Sequence, residues 1–151
     1  MRKVYWFVLT VSIVNMILSG IILQKHKDPS SNICPISNSV FKCDTVLNSS
    51  YASFFGIPVA LIGLVSFGLV ALIAWYGLVI GSALAEEILV VLLVLGSLGA
   101  LRFLFIQAFV LEAFCPYCVT IDILLILAAA LFIYKKKQRR GHVFNYKAFA
   151  L

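Results

Sequence analysis

Four apolar runs, each long enough to cross a bilayer, leave this 151-residue chain few folds to choose from. A spanning helix needs about 20 mostly apolar residues. Residues 4–23, 57–80 and 88–110 meet that length. Residues 119–134 meet it if their helix begins at Cys115 and Tyr134, Lys135, Lys136 and Lys137 snorkel at the far end. With 63% hydrophobic residues and only 12% charged ones, the chain lies outside the range of soluble domains. The expectation is an all-α membrane protein, a bundle of four transmembrane helices. The first run follows Arg2 and Lys3 as a signal peptide would, yet it exceeds the roughly 7 to 15 residues of such a segment and lacks an A-x-A cleavage site. It is expected to be retained.

Four spans bring both termini to one side. The termini hold Arg2, Lys3, Lys135, Lys136, Lys137, Arg139, Arg140 and Lys147, eight of the twelve basic residues. That side is therefore expected to be cytoplasmic, with the protein integral to the plasma (inner) membrane. The net charge of +6 then reports topology and contact with anionic lipid, and no nucleic-acid partner is expected. Tyr5, Trp6, Trp75, Tyr76 and Tyr134 fall at the expected inner ends of their spans, where amphipathic rings favour the headgroup level. The connection GSALAEE, with two acids and no base, says little about orientation. A membrane domain is expected over 1–134 and a basic cytoplasmic tail over 135–151.

Residues 24–56 form the larger outside segment, which contains Cys34 and Cys43. From Asp44, a possible N-cap, the positions Val46, Leu47, Tyr51, Phe54 and Phe55 have helical spacing, and Gly56 then Pro58 supply a stop and a new start. This pattern predicts a short amphipathic helix over the mouth of the bundle. The second outside connection is only a few residues long and carries FCPYC, so all four cysteines share one face. Pro116 suits a first helical position, which puts Cys115 at the helix start and Cys118 one turn on, within bridging reach and at the positive end of the helix dipole. Such a pair is poised to exchange between dithiol and disulfide.

Two other readings of the cysteines stand beside that one. Two structural bridges would hold the outer loop of a non-enzymatic scaffold, but a C-x-x-C bridge closes too small a loop to stabilise much. Four thiolates would hold zinc, but eight residues separate Cys34 from Cys43, more than the usual two to four. No metal is expected. If the pairs are redox-active, electrons entering through Cys34 and Cys43 from a reduced protein must leave through something dissolved in lipid, which points to a quinone.

The run C-x8-C, then CDTVLNSSYASFFGIP leading into the second span, then FCPYC opening the last, resembles the bacterial and archaeal branch of the vitamin K epoxide reductase family over residues 1 to about 134. The DsbB family is the alternative, but there the C-x-x-C precedes the widely spaced pair. The resemblance implies an integral membrane thiol oxidoreductase that reoxidises a thioredoxin-like, DsbA-type partner and passes two electrons to ubiquinone, menaquinone or a related quinone. By motif position it makes Cys118 the cysteine facing the quinone, Cys115 its partner, Cys34 and Cys43 the shuttle pair, and Ser49 the family's serine near the quinone-proximal sulfur. Many relatives carry a fused thioredoxin-like domain after the last span; none follows here, so a separate partner protein is expected. Asp122 and Ala52 stand where the animal enzyme has a tyrosine and an asparagine, and Ser50 where a proline is frequent, which favours plain quinone reduction over epoxide reduction.

Two charges, Arg102 and Asp122, lie within hydrocarbon at about 13 and 10 Å from the outer ends of their spans. They are expected either to form an ion pair or, for Asp122 one turn below Cys118, to border the quinone site and supply protons. Ser12, Asn15, Ser66 and Ser97 are expected to join helices, as are Gly96 and Ala100. The quinone pocket is expected to lie near Cys118, with Phe54, Phe55, Phe105 and Phe109 as walls.

Overall fold

A computed structural model describes residues 2–27, 43–47 and 49–149. Its helices are α1 (Arg2–Lys27), α2 (Cys43–Leu47), α3 (Val59–Ile80), α4 (Ala83–Phe105) and α5 (Pro116–Phe149). Four helical segments, Arg2–Gln24, Val59–Ile80, Ala83–Val110 and Pro116–Arg139, are long and apolar enough to cross a membrane. The chain is an all-α membrane bundle, as the apolar runs predict. Because hydrocarbon offers no partner for backbone polar groups, helical hydrogen bonding is the only way such runs can satisfy themselves.

Helix α1 packs on α3 and α5, and α4 packs on α5 and α3. Apolar residues face lipid all round, so it is the small and polar residues that mark the inward faces. On α1 these are Ser12, Asn15 and Ser19, all at most 3% exposed. Asn15 donates from Nδ2 to the carbonyl of Ile121 on α5, 3.3 Å away. Between α4 and α5, Ala100 is buried and Gly96 lies so close to Leu125 that a Cβ there would meet its side chain at 3.2 Å. Ser97 donates to Leu93 of its own helix, and Ser66 is exposed; neither joins two helices.

One end of the bundle is basic and regular. Gly81, at φ +66, closes α3 by donating to the carbonyl of Gly77, and α4 follows directly. Tyr5, expected in the interfacial belt, is instead buried: its ring meets Phe132 edge-on at 5.3 Å and covers Gly77, where a Cβ would come within 2.6 Å of it. Trp6, Trp75, Tyr76 and Tyr134 are exposed, as an interfacial belt requires. Lys136 reaches Glu87 at 2.7 Å and Arg139 reaches Glu86 at 3.5 Å. The acids of GSALAEE thus meet the basic continuation of α5, which extends beyond the expected span end at 134 to Phe149.

The other end is irregular. The expected amphipathic helix is confined to α2; after it come a single 3-10 turn at Ser50–Ala52 and a two-stranded hairpin, β1 (Ser53–Phe54) against β2 (Ile57–Pro58). Phe54 and Phe55 are therefore not on a helix. Phe55 and Gly56 both have positive φ, +52 and +79, the backbone that a two-residue hairpin turn requires. Gly56 is the residue that makes the turn available, and the turn outcompetes one further helical turn.

Candidate active site

The cysteine end is built around the junction of α4 and α5. Helix α4 passes into a π-helical turn, Ile106–Val110, in which the Leu111 N–H donates to the carbonyl of Ile106, five residues back, at 2.9 Å. The extra residue in the turn brings both Ile106 and Gln107 inward. Gln107 is fully buried. Its carbonyl accepts the Ala113 N–H at 3.2 Å and its Oε1 accepts the Cys115 N–H at 2.9 Å. One residue therefore holds both limbs of the connection. Between them Glu112 takes a left-handed backbone, φ +46, unusual for a residue with a Cβ.

Cys115 caps α5. Its carbonyl accepts the Val119 N–H at 2.9 Å, and its Sγ accepts the Cys118 N–H at 3.4 Å, the place ordinarily taken by a serine or aspartate oxygen. The Cys118 thiol donates to the same sulfur across 2.8 Å. That thiol hydrogen bond, opposed by burial and aided by the backbone N–H groups of Cys118 and Tyr117, holds the Cys115 thiol below its ordinary range. Cys115 is fully buried and Cys118 is 9% exposed; both are unbridged. Their separation is a short step from the roughly 2.05 Å of a disulfide.

Ile22 from α1, Val46 from α2 and Ala113 form one apolar cluster with the two cysteines. Phe103, Leu111, Tyr117 and Ile121 pack against it, partly buried. Cys43 opens α2 three residues before Val46, whose side chain packs with the C-x-x-C. Cys34 lies outside the described residues. Ser49 is half-buried, three residues past Val46, and its hydroxyl donates to the Val46 carbonyl at 2.7 Å.

Asp122 is 8% exposed, one turn below Cys118, and its Oδ2 has no hydrogen-bond partner. The ion pair with Arg102 is not formed: Arg102 is exposed on its helix, whereas Asp122 faces the interior. Phe54 and Phe55 stack edge-on at 4.8 Å and Phe105 and Phe109 pair at 4.7 Å, but all four are exposed, Phe55 at 92%. The structure brings Cys115, Cys118 and Asp122 together with the α2 backbone, and turns the four phenylalanines outward.

Gln107 is the residue that sequence reasoning missed. It is the one glutamine inside the apolar runs 4–23, 57–80, 88–110 and 119–134, eight residues before Cys115, and a neutral polar side chain in an apolar run was signal enough. Among the described residues three buried side-chain atoms lack a partner: Asn15 Oδ1, Gln107 Nε2 and Asp122 Oδ2. Two of them belong to residues within a turn or one hydrogen bond of the cysteines. By contrast, the groove of about 540 Å³ between α3 and α4, lined by Ile73, Tyr76, Ile80, Ala85 and Ile88 among others, opens at the basic end.

In comparison with known proteins, the model of the vitamin K epoxide reductase family matches residues 6–133, most of the chain. No curated protein matches it.

Proposed function

Because the chain belongs to the vitamin K epoxide reductase family, whose members are in general membrane quinone-linked thiol oxidoreductases, we propose that it generates disulfides by moving electrons from a thioredoxin-like protein to a membrane quinone. The observation that carries this reading is the C-x-x-C at a helix start, with its two sulfurs within bridging reach and Cys115 Sγ accepting the Cys118 N–H at the positive end of the helix dipole. A sulfur so placed favours thiolate and hence exchange.

In this reading a reduced DsbA-type partner passes its two electrons to the Cys34–Cys43 disulfide, becoming oxidised. A thiolate of that pair, carried by α2, attacks Cys115 Sγ in the Cys115–Cys118 disulfide and releases Cys118; closure of Cys34–Cys43 then leaves Cys115 and Cys118 as a dithiol. Quinone supplies the final sink, accepting two electrons and two protons to become quinol. The residues present fit such a group. The apolar cluster around Cys118 suits its ring, and Asp122 Oδ2, buried and without a partner, is placed to deliver a proton. Ser49, through its bond to Val46, steadies the helix turn above the sulfurs. The exposed pairs Phe54–Phe55 and Phe105–Phe109 serve as an aromatic rim rather than as pocket walls.

Sidedness is part of the same proposal. Arg2, Lys3 and the basic continuation of α5 share one end, which the positive-inside rule makes cytoplasmic, so the cysteines face the extracytoplasmic compartment where disulfides persist.

The test is direct. Purified full-length protein in lipid, given quinone and a reduced thioredoxin-like substrate, is expected to produce one quinol per substrate disulfide. No quinol, with both cysteine pairs intact and accessible, overturns the reading.

A further inference from the structure

The unpartnered amide of Gln107 has only one chemically allowed orientation. The Cys115 backbone N–H can only donate, so the atom facing it at 2.9 Å must be the acceptor Oε1. Nε2, with two N–H donors, is thereby turned the other way, and it finds no partner although the side chain is fully buried. A buried donor left unsatisfied is costly, so the arrangement calls for an acceptor that arrives later.

Several features agree on where that acceptor binds. Nε2 is the other end of the same planar group that grips Cys115, so it lies beside the first residue of the C-x-x-C. The π-helical turn that brings Gln107 inward is a local defect in an otherwise regular span, a device found often at ligand sites. The cysteines it adjoins lie in an apolar cluster with Ile22, against which Phe103 and Leu111 pack. An apolar ligand with a strong neutral acceptor answers that description, and a carbonyl oxygen on a ring is such an acceptor.

We infer that Gln107 is a substrate-binding residue, its Nε2 donating a hydrogen bond to one carbonyl oxygen of the quinone while its Oε1 keeps Cys115 in place. This rests on the proposed quinone reduction and assigns that site a contact on the π-helical turn after α4 in addition to Asp122 on α5. Because the same amide holds the sulfur-bearing backbone and the acceptor, it fixes one relative to the other.

The chain has only three glutamines, Gln24, Gln107 and Gln138, which makes the contact observable without altering the protein. Full-length protein labelled with ¹⁵N in its glutamine side chains, oxidised and embedded in lipid nanodiscs, is titrated with short-chain ubiquinone and menaquinone. One of the three side-chain amide groups is expected to have a proton move downfield on saturation while the other two groups stay fixed, and the moving signal is the one missing from Gln107→Met. Should that variant fail to fold, Gln24→Met and Gln138→Met assign the signal by elimination. In steady state Gln107→Met, which loses both the bond to Cys115 and the bond to the quinone, is expected to raise KM for quinone about tenfold or more and to leave KM for the dithiol substrate unchanged. A Gln107 signal that does not move at quinone levels where the same preparation makes quinol overturns the inference and leaves the reductase reading standing. A preparation that makes no quinol at all overturns the broader reading instead.

Discussion

The two ends of this bundle are made from the same apolar helices and treat their backbone in opposite ways. At the basic end the α3–α4 connection is closed by a glycine, Gly81, in the left-handed region that glycine enters freely, and the acids Glu86 and Glu87 meet Arg139 and Lys136. At the cysteine end the left-handed positions include Phe55 and Glu112, residues with a Cβ, and α4 is interrupted by a π-helical turn. Gln107 Nε2 and Asp122 Oδ2 are left without partners there. Each of these departures costs free energy of order 1 kcal/mol or more, and they gather where the sulfurs are. The contrast assigns cohesion to one end and chemistry to the other.

Substitutions can break that division, and the largest expected effect is at Cys118. Cys118→Ala removes one member of the thiol pair and is expected to abolish quinol formation while leaving the helix content and thermal midpoint within a few degrees of the parent. Asp122→Asn comes next: quinone reduction should slow by about 10² or more, the usual contribution of a positioned proton donor, with disulfide exchange at Cys34 and Cys43 unaffected in single-turnover trapping. Equal loss of both activities with poor membrane insertion would move Asp122 to the structural side of the comparison.

At the basic end the predictions invert. Lys136, 9% exposed, is expected on Lys136→Met to lower stability by about 1 to 2 kcal/mol in a denaturant titration in detergent, with kcat per folded molecule unchanged. Glu86→Gln breaks a longer contact whose arginine is well exposed, and less than about 0.5 kcal/mol is expected. A loss of turnover without a loss of stability in either variant would blur the division between the ends.

A pH series sharpens it further. The hydrogen bond from Cys118 lowers the Cys115 thiol pKa in the folded protein, so in the reduced protein Cys115 carries thiolate to lower pH than a free cysteine, whose pKa is about 8.5. The ultraviolet absorbance of the Cys115 thiolate should reach its plateau below that pH, and Cys118→Ala should move the plateau upward. The linked stabilisation of the reduced form is fully present above the ordinary thiol pKa and is lost as pH falls through the depressed one.

The spans were legible because bilayer thickness and backbone satisfaction act on length and hydropathy alone, and both can be read from composition along the chain. The helix start at Pro116 and the cap at Cys115 were legible for a similar reason: proline's fixed φ and missing N–H are local facts. What could not be read was decided by competition between near-equal local choices. Residues 50–58 have helical spacing, yet the Phe55–Gly56 turn favours a hairpin, and no count of apolar positions weighs those two outcomes. Tyr5 looked like a belt residue because its polar tip suits the headgroups, but the space over Gly77 takes its ring only once three helices are assembled. Arg102 and Asp122 matched in depth, and depth says nothing about the angle around the helix axis, which set one outward and the other inward. Gln107 could be singled out as a glutamine in an apolar run, but the π-helical turn that brings it inward leaves no mark in hydropathy.

The central claim is that the outer loop hands electrons to the C-x-x-C through Cys43 and Cys115. A Cys34→Ala, Cys118→Ala double variant leaves those two thiols without their usual partners; in lipid it is treated with a mild thiol oxidant and its unreduced peptides are analysed by mass spectrometry. The account predicts a Cys43–Cys115 disulfide within single chains as the main product. Folded, membrane-embedded protein in which both thiols stay free, or in which Cys43 is labelled from the side opposite Cys115, would contradict it.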